Sequence, residues 1–206
     1  MMYNYEKALW SRGYKYIAGC DEVGRGPLAG PIVVAAVVLD SHNPIEGLND
    51  SKALSEKQRN ALAKKIYRCA KEVSYVIIPV EEVDSLNVLR ASKKGMYEAI
   101  KSLTKVDYVL SDAMPLNDLN IPSQSLIKGD SLSASIAAAS IIAKTKRDQL
   151  MVEYALLYPE YGFEQHKGYP TKKHLDALSE HGICEIHRKS FKPVQMQINK
   201  QTSLKF

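Results

Sequence analysis

Two apolar runs separated by a pair of acids and a glycine-rich turn, within residues 16–39 (YIAGCDEVGRGPLAGPIVVAAVVL), constrain this chain more than any other stretch. Tyr16, Ile17 and Ala18 lead into Asp21 and Glu22; Gly24, Arg25, Gly26, Pro27 and Gly30 turn the chain; residues 32–39 are apolar again. The pattern predicts a strand, an acidic strand end, a turn and a second strand. Adjacent acids are most often solvated, but glycines flanking Arg25 let a backbone approach a ligand closely, and a guanidinium suits phosphate. One loop thus offers oxygen ligands for a cation and donors for an anion.

The rest of the chain sets bounds. With 206 residues, 45% of them hydrophobic, one domain with one substantial core is expected. No apolar run approaches the roughly 18 residues of a membrane span, and the first ten residues lack the pattern of a secretory signal, so a cytoplasmic location without membrane association is expected. Cys20, Cys69 and Cys184 are far apart and odd in number, which argues against a disulfide framework or a zinc knuckle. The net charge of +5 is uneven: from residue 164 onward eight Lys and Arg face four acids, a balance that suits a polyanionic partner.

Ser55 with Gln58 reads as a capping box opening a helix with Leu62, Ala63, Ile66, Tyr67 and Ala70 inward. Residues 73–80 read as a strand. A second helix is predicted from Asn87 with Leu89, Met96, Ile100 and Leu103 buried, then short strands at 106–111 and 124–127. A long Ala- and Ser-rich helix at 131–158 and another at 172–180 complete an α/β pattern. From Lys192 the apolar period fades, predicting a flexible tail at 195–206.

Asp21 and Glu22, Asp112 and Asp130 each follow a predicted strand, and acids remote in sequence converge at strand ends in open α/β sheets. Taken singly, Asp130 also suits a helix cap and Asp112 an ordinary turn. Together, four carboxylates in one place would repel unless cations sit between them, and Mg²⁺ or Mn²⁺ is the natural partner for oxygen ligands and phosphate. That set favours two-metal phosphodiester hydrolysis.

Six separate blocks now carry a resemblance: residues 19–33 (GCDEVGRGPLAGPIV), 49–52 (NDSK), 128–130 (KGD), 135–148 (SIAAASIIAKTKRD), 166–174 (HKGYPTKKH) and 187–194 (HRKSFKPV). Over residues 16–194 the chain resembles the ribonuclease HII family, the bacterial type 2 ribonucleases H. The resemblance implies a ribonuclease H-like fold with a central mixed sheet flanked by helices, a catalytic domain over 1–194 and a small helical C-terminal part at about 160–194. It implies metal-binding acids at Asp21, Glu22, Asp112 and Asp130, and a Gly24, Arg25, Gly26 motif contacting the backbone and 2′-OH at the scissile phosphate. It also implies a tyrosine at Tyr169 that recognises the RNA-to-DNA junction.

The implied activity is cleavage of RNA in RNA/DNA hybrids and nicking 5′ of single ribonucleotides in duplex DNA. A 2′-OH is the one local mark of a ribonucleotide, and backbone groups of a glycine turn reach it without hindrance. Lys52, Lys128, Lys144, Arg147, Arg188 and Ser190 are candidate phosphate contacts, and His166, His174, His181 and His187 read as structural or phosphate-proximal. Gln201, Leu204 and Phe206 match a Q-x-x-L-x-F pattern, which resembles the peptide that docks on the bacterial sliding clamp. A monomer is expected. Competing readings are a type 3 ribonuclease H, whose extra N-terminal domain the first fifteen residues do not accommodate, and a hybrid-binding module without catalysis. A nucleotide-dependent enzyme is disfavoured by the absence of P-loop and dinucleotide fingerprints.

Overall fold

Two antiparallel strands grow directly from the apolar runs on either side of the glycine turn, and the rest of the sheet assembles around the first of them. The computed structural model describes residues 2–203. In chain order the elements are α1 (Asn4–Ser11), β1 (Ile17–Val23), β2 (Ile32–Val38), α2 (Glu56–Cys69), β3 (Glu72–Ile78), α3 (Val80–Leu86), α4 (Val88–Lys101), β4 (Tyr108–Asp112), β5 (Ser123–Leu126), α5 (Ala134–Leu157), α6 (Phe163–His166), α7 (Lys172–His181) and α8 (Lys192–Ser203). Single 3₁₀ turns at Gly129–Ser131 and Pro159–Tyr161 precede α5 and α6. No described helix is long and apolar enough to cross a membrane.

The chain divides into two compact units. The first takes residues 1–23, 33–77 and 92–145 and contains the sheet, in the order β3-β2-β1-β4-β5. β1 runs antiparallel to β2 and parallel to β4, and β4 runs parallel to β5, so the expected mixed sheet with flanking helices is observed. Every residue of β2 is buried, which its unbroken run of β-branched and small residues permits. Leu9, Ile17, Tyr108, Leu110, Leu126 and Ile136 form one core cluster of this unit.

Small residues set how closely α5 lies against β1. A Cβ built on Gly19 would stand 2.0 Å from the backbone carbon of Ser135, so only glycine fits where helix and strand cross. The start of α5 is held by a residue remote in sequence. Ser135 N–H donates to Glu6 Oε1 at 2.9 Å, and the Ser133 and Ser135 hydroxyls donate to the same oxygen. The buried Glu6 carboxylate on α1 thereby supplies the cap that Asp130 would have given.

The second unit takes residues 24–32, 78–91 and 146–206. It contains the expected helical part at about 160–194 but also the glycine turn and the second half of α5. One cluster packs Ala29, Met151, Tyr161, Phe163 and Ala177; another packs Leu28, Leu178 and Val194.

Several local expectations change. The capping box forms, with Ser55 N–H donating to Gln58 Oε1 and Gln58 N–H to Ser55 Oγ, but Tyr67 on that helix is exposed. Residues 81–85, between the strand expected at 73–80 and the helix expected from Asn87, lie within α3. Asn87 separates α3 from α4 at φ 68° and caps α4 through its Oδ1; Met96 and Ile100 are buried but Leu89 is not. The segment expected to be a flexible tail from residue 195 is helical to Ser203, because Val194 is buried and Ile198 packs beside it on the same helical face. Gln201 falls in that helix; Leu204 and Phe206 lie outside the described residues.

Candidate functional site

In the first unit three acids, two on strands and one in a turn, meet. Asp21 sits on β1, Asp112 ends β4 and Asp130 lies in the 3₁₀ turn after β5; one carboxylate oxygen from each falls within 4.8 Å of the others. Parallel pairing of β1 with β4 and of β4 with β5 brings these ends to one side of the sheet. Backbone strain accompanies the convergence. Ala113, directly after Asp112, and Lys128, two residues before Asp130, have φ of 46° and 57°, a region that side chains with a Cβ rarely occupy and that concentrates at functional sites. Asp112 is locked by Gly129 N–H, which donates to its Oδ1 at 2.7 Å.

Electrostatics single out Asp21 and Asp130. Burial, then the neighbouring charge of Glu22, holds the Asp21 carboxyl well above its ordinary range; Asp112 adds to this, while hydrogen bonds from Ser140 and from Glu22 N–H oppose it. The Asp130 carboxyl is likewise raised by burial, then by Asp50 and Asp112, with Lys52 acting against the shift. Acids that repel in one buried place are the donor set of a hard divalent cation, and the residues present fit one.

Glu22 stands outside this trio: it follows Asp21 on β1, where pleating alternates side chains between faces, yet its charge is the largest electrostatic push on Asp21. Lys52 is exposed, and although partial burial works against it, the carboxylates of Asp50, Asp130, Asp21 and Asp112 raise its pKa. Lys128 is exposed beside Asp130. Asp50 is not among the acids that the strand-end pattern marks. It enters the acid group through the NDSK loop, where its Oδ1 accepts from Lys52 N–H at 2.8 Å. Its only sequence signal is its place beside Lys52 in that motif.

The second unit builds the glycine turn. Gly24 adopts φ 111°, and a Cβ there would meet Arg147 Nε at 2.4 Å. Arg25 and Gly26 are exposed. The Tyr169 ring, 38% of the residue exposed, has Cε1 3.7 Å from where a Gly26 Cβ would sit, and the Arg147 guanidinium lies 5.9 Å from the ring centre.

Arg147 and Arg188, expected at phosphates, are instead fully buried. Arg188 donates to the carbonyls of Gly24 (2.6 Å), Arg25 (3.2 Å) and Gly30 (2.7 and 3.0 Å), and Arg147 to those of Pro31, Ala29 and Lys167. The reason is accounting of backbone polarity: an irregular turn has carbonyls without ladder partners, and a planar fork of donors satisfies several at once. Burial, then the charge of Arg147, lowers the Arg188 pKa to about 9. Ser190 is exposed, but its hydroxyl and N–H both donate to Asp84, as does Lys189 N–H. Lys144 lies on α5 within the first unit.

The comparisons with known proteins agree over most of the chain. The family model described as Ribonuclease HII matches residues 18–194. The chain belongs to the ribonuclease HII family. A Ribonuclease HII of Halalkalibacterium halodurans is 51% identical over 195 residues, covering 94% of this chain and 74% of the relative. Among solved structures, the ribonuclease H2 of Pyrococcus horikoshii aligns with a TM-score of 0.75 at 25% identity, over 89% of this chain and 97% of its own. The RNase HII of Archaeoglobus fulgidus, solved in a complex with PCNA, aligns with a TM-score of 0.76 at 25% identity, over 88% and 96%. Ribonuclease HII membership makes this chain a ribonuclease H, a metal-binding hydrolase of the RNA strand in RNA/DNA hybrids that depends on a divalent ion. The ribonuclease H-like fold read from the sequence is the fold observed.

Proposed function

We propose that this chain both degrades the RNA strand of hybrids and nicks duplex DNA on the 5′ side of a single ribonucleotide, leaving a 3′-hydroxyl and a 5′-phosphate. The observation that carries the proposal is the convergence of Asp21, Asp112 and Asp130. These three, with Glu22 adjacent, would hold two Mg²⁺ or Mn²⁺ ions; bound, the ions supply activation of water and stabilisation of the leaving oxygen. Lys52, kept cationic by the surrounding acids, offsets the charge of a phosphate next to the trio. A non-catalytic binding module would gain nothing from buried, mutually repelling acids, which would oppose phosphate binding.

Recognition of the ribonucleotide is assigned to the turn of the second unit. Gly24 follows Asp21 by three positions in the chain. The N–H groups of Gly24, Arg25 and Gly26 and the exposed Arg25 side chain would bind the phosphate and 2′-OH, while the Tyr169 ring would stack on the following deoxyribose, which lacks that hydroxyl. Arg188 and Arg147 hold this turn in shape and, being buried, take no direct part in binding. Tyr169→Ala is expected to lose most nicking at a lone ribonucleotide while retaining cleavage of long hybrids, compared by kcat/KM on the two substrates. Equal loss on both would remove Tyr169 from junction recognition and favour a type 3-like activity.

The terminal hexapeptide is proposed as a clamp-docking segment on the strength of its Gln201, Leu204 and Phe206 pattern. The complex of the Archaeoglobus relative with PCNA supports a clamp as the class of partner. Deleting residues 201–206 should abolish retention on an immobilised sliding clamp without changing turnover; retention by the shortened chain would discard the assignment.

A further inference from the structure

Beneath Tyr169 lie three buried histidines, His166, His174 and His187, that the proposed chemistry does not use. Buried imidazoles are costly where a leucine or phenylalanine would pack, unless their nitrogens are bonded. Here all six ring nitrogens have partners. His166 Nδ1 accepts from Gly168 N–H (3.2 Å) and its Nε2 pairs with Tyr161 O (2.9 Å); His174 Nδ1 pairs with Tyr169 O (3.0 Å); His187 Nδ1 accepts from Cys184 N–H (2.9 Å); and the Nε2 atoms of His174 and His187 face each other at 3.1 Å.

The two ends of this chain assign its protons. A backbone N–H at Cys184 requires His187 Nδ1 to be bare, so His187 carries its proton on Nε2. A carbonyl at Tyr169 requires His174 Nδ1 to be protonated, so His174 Nε2 is bare and accepts from His187. One neutral tautomer of each ring satisfies every contact, and reversing the pair breaks both ends. Burial lowers the pKa of both rings to about 4, which keeps them neutral at working pH. Their planes are fixed by packing: His174 stacks on His166 with centroids 4.5 Å apart, and Tyr161 and Phe163 pack against His187.

We propose that His187 and His174 are positioning residues that set the backbone of Tyr169 and thereby the preference for a lone ribonucleotide. The proposal rests on the junction role given to Tyr169 above. Both peptide groups of Tyr169 are gripped by the histidine segment: its N–H donates to His166 O at 2.9 Å, and its carbonyl accepts from His174 Nδ1 as well as from Thr171 N–H. The ring itself is left partly exposed beside Gly26. The relay therefore fixes where the ring stands without occupying its face.

The test compares His187→Asn and His187→Gln with the wild type and with Tyr169→Ala, as the ratio of kcat/KM on a single-ribonucleotide duplex to that on a long hybrid. Asn keeps an acceptor for Cys184 N–H but cannot reach His174, whereas the Gln amide puts an N–H near the Nε2 position and restores the donor to His174. We expect the ratio to fall about tenfold in His187→Asn, as small misplacements of positioning groups do, and to stay near the wild-type value in His187→Gln. Parallel loss on both substrates in both variants, with the ratio unmoved, would reduce the relay to a structural element and overturn the proposal. A ratio that falls in Tyr169→Ala but not in His187→Asn rejects the relay alone; a ratio unmoved in Tyr169→Ala rejects the junction role. Nitrogen-15 spectra of the imidazoles give a readout independent of activity. Protons on His187 Nε2 and His174 Nδ1 are expected, and the opposite tautomers or a mixture would overturn the relay.

Discussion

Asp21→Asn is expected to make the metal-free protein more stable while removing its activity. The carboxyl pKa of Asp21 is raised in the folded state. Between its ordinary value of 3.8 and that raised value the folded chain therefore binds more protons than the unfolded one, and stability falls as pH rises through this window. The penalty grows as pH rises through that window, and the neutral amide removes it. The melting temperature without metal should rise by about 2–4 °C for each kcal/mol recovered. Saturating Mg²⁺ or Mn²⁺ should reverse the order, since a ligand bound only by the folded state adds stability in proportion to RT ln(1 + [L]/Kd) and the variant lacks a ligand. Cleavage should fall by more than about 10³-fold, beyond the loss of a single oxyanion-hole donor. A variant that melts lower without metal, or that gains as much from metal as the wild type, would show that the acids are not a strained ion site.

Arg188→Ala is expected to carry the largest stability cost. The substitution removes four hydrogen bonds and leaves the carbonyls of Gly24, Arg25 and Gly30 without this donor, and it opens space where a fully buried side chain stood. At about 1–3 kcal/mol for each buried group left unsatisfied, the loss is on the order of 3–5 kcal/mol. That corresponds to a fall in melting temperature of roughly 10 °C, read by thermal or denaturant unfolding. Arg188→Lys should recover little, because a single ammonium cannot span three carbonyls as a planar fork does. If Arg188 were a surface phosphate contact, Arg188→Ala would leave unfolding unchanged and only weaken substrate binding, with a shallower salt dependence.

The sheet and its acids were legible in the sequence because both depend on local pattern. Short, partly apolar stretches that run into Asp21, Asp112 and Asp130 mark strands and strand ends, and a mixed sheet gathers such ends. What escaped reading depends on tertiary placement. Arg147 and Arg188 look like surface cations in any linear view, and only the unpaired carbonyls of a folded turn explain their burial. Glu6 gives no periodic signal on its short helix, yet it caps α5 from across the first unit. Asp50 joins the acids because the NDSK loop folds toward Asp130. In α8, Val194 and Ile198 are four residues apart, too sparse an apolar stripe to announce a helix but enough to pack against Leu28 and Leu178. The histidines reveal their order only through the directions of their hydrogen bonds.

The most direct measurement is the position of the cut made in a DNA duplex carrying one ribonucleotide, with Mg²⁺ or Mn²⁺ and with the metal chelated, for the wild type and Asp21→Asn. The account predicts one metal-dependent nick immediately 5′ to the ribonucleotide in the wild type, with a 5′-phosphate on the ribonucleotide, and none in the variant. A nick that persists in Asp21→Asn or after chelation, or a cut elsewhere in the duplex, would contradict it.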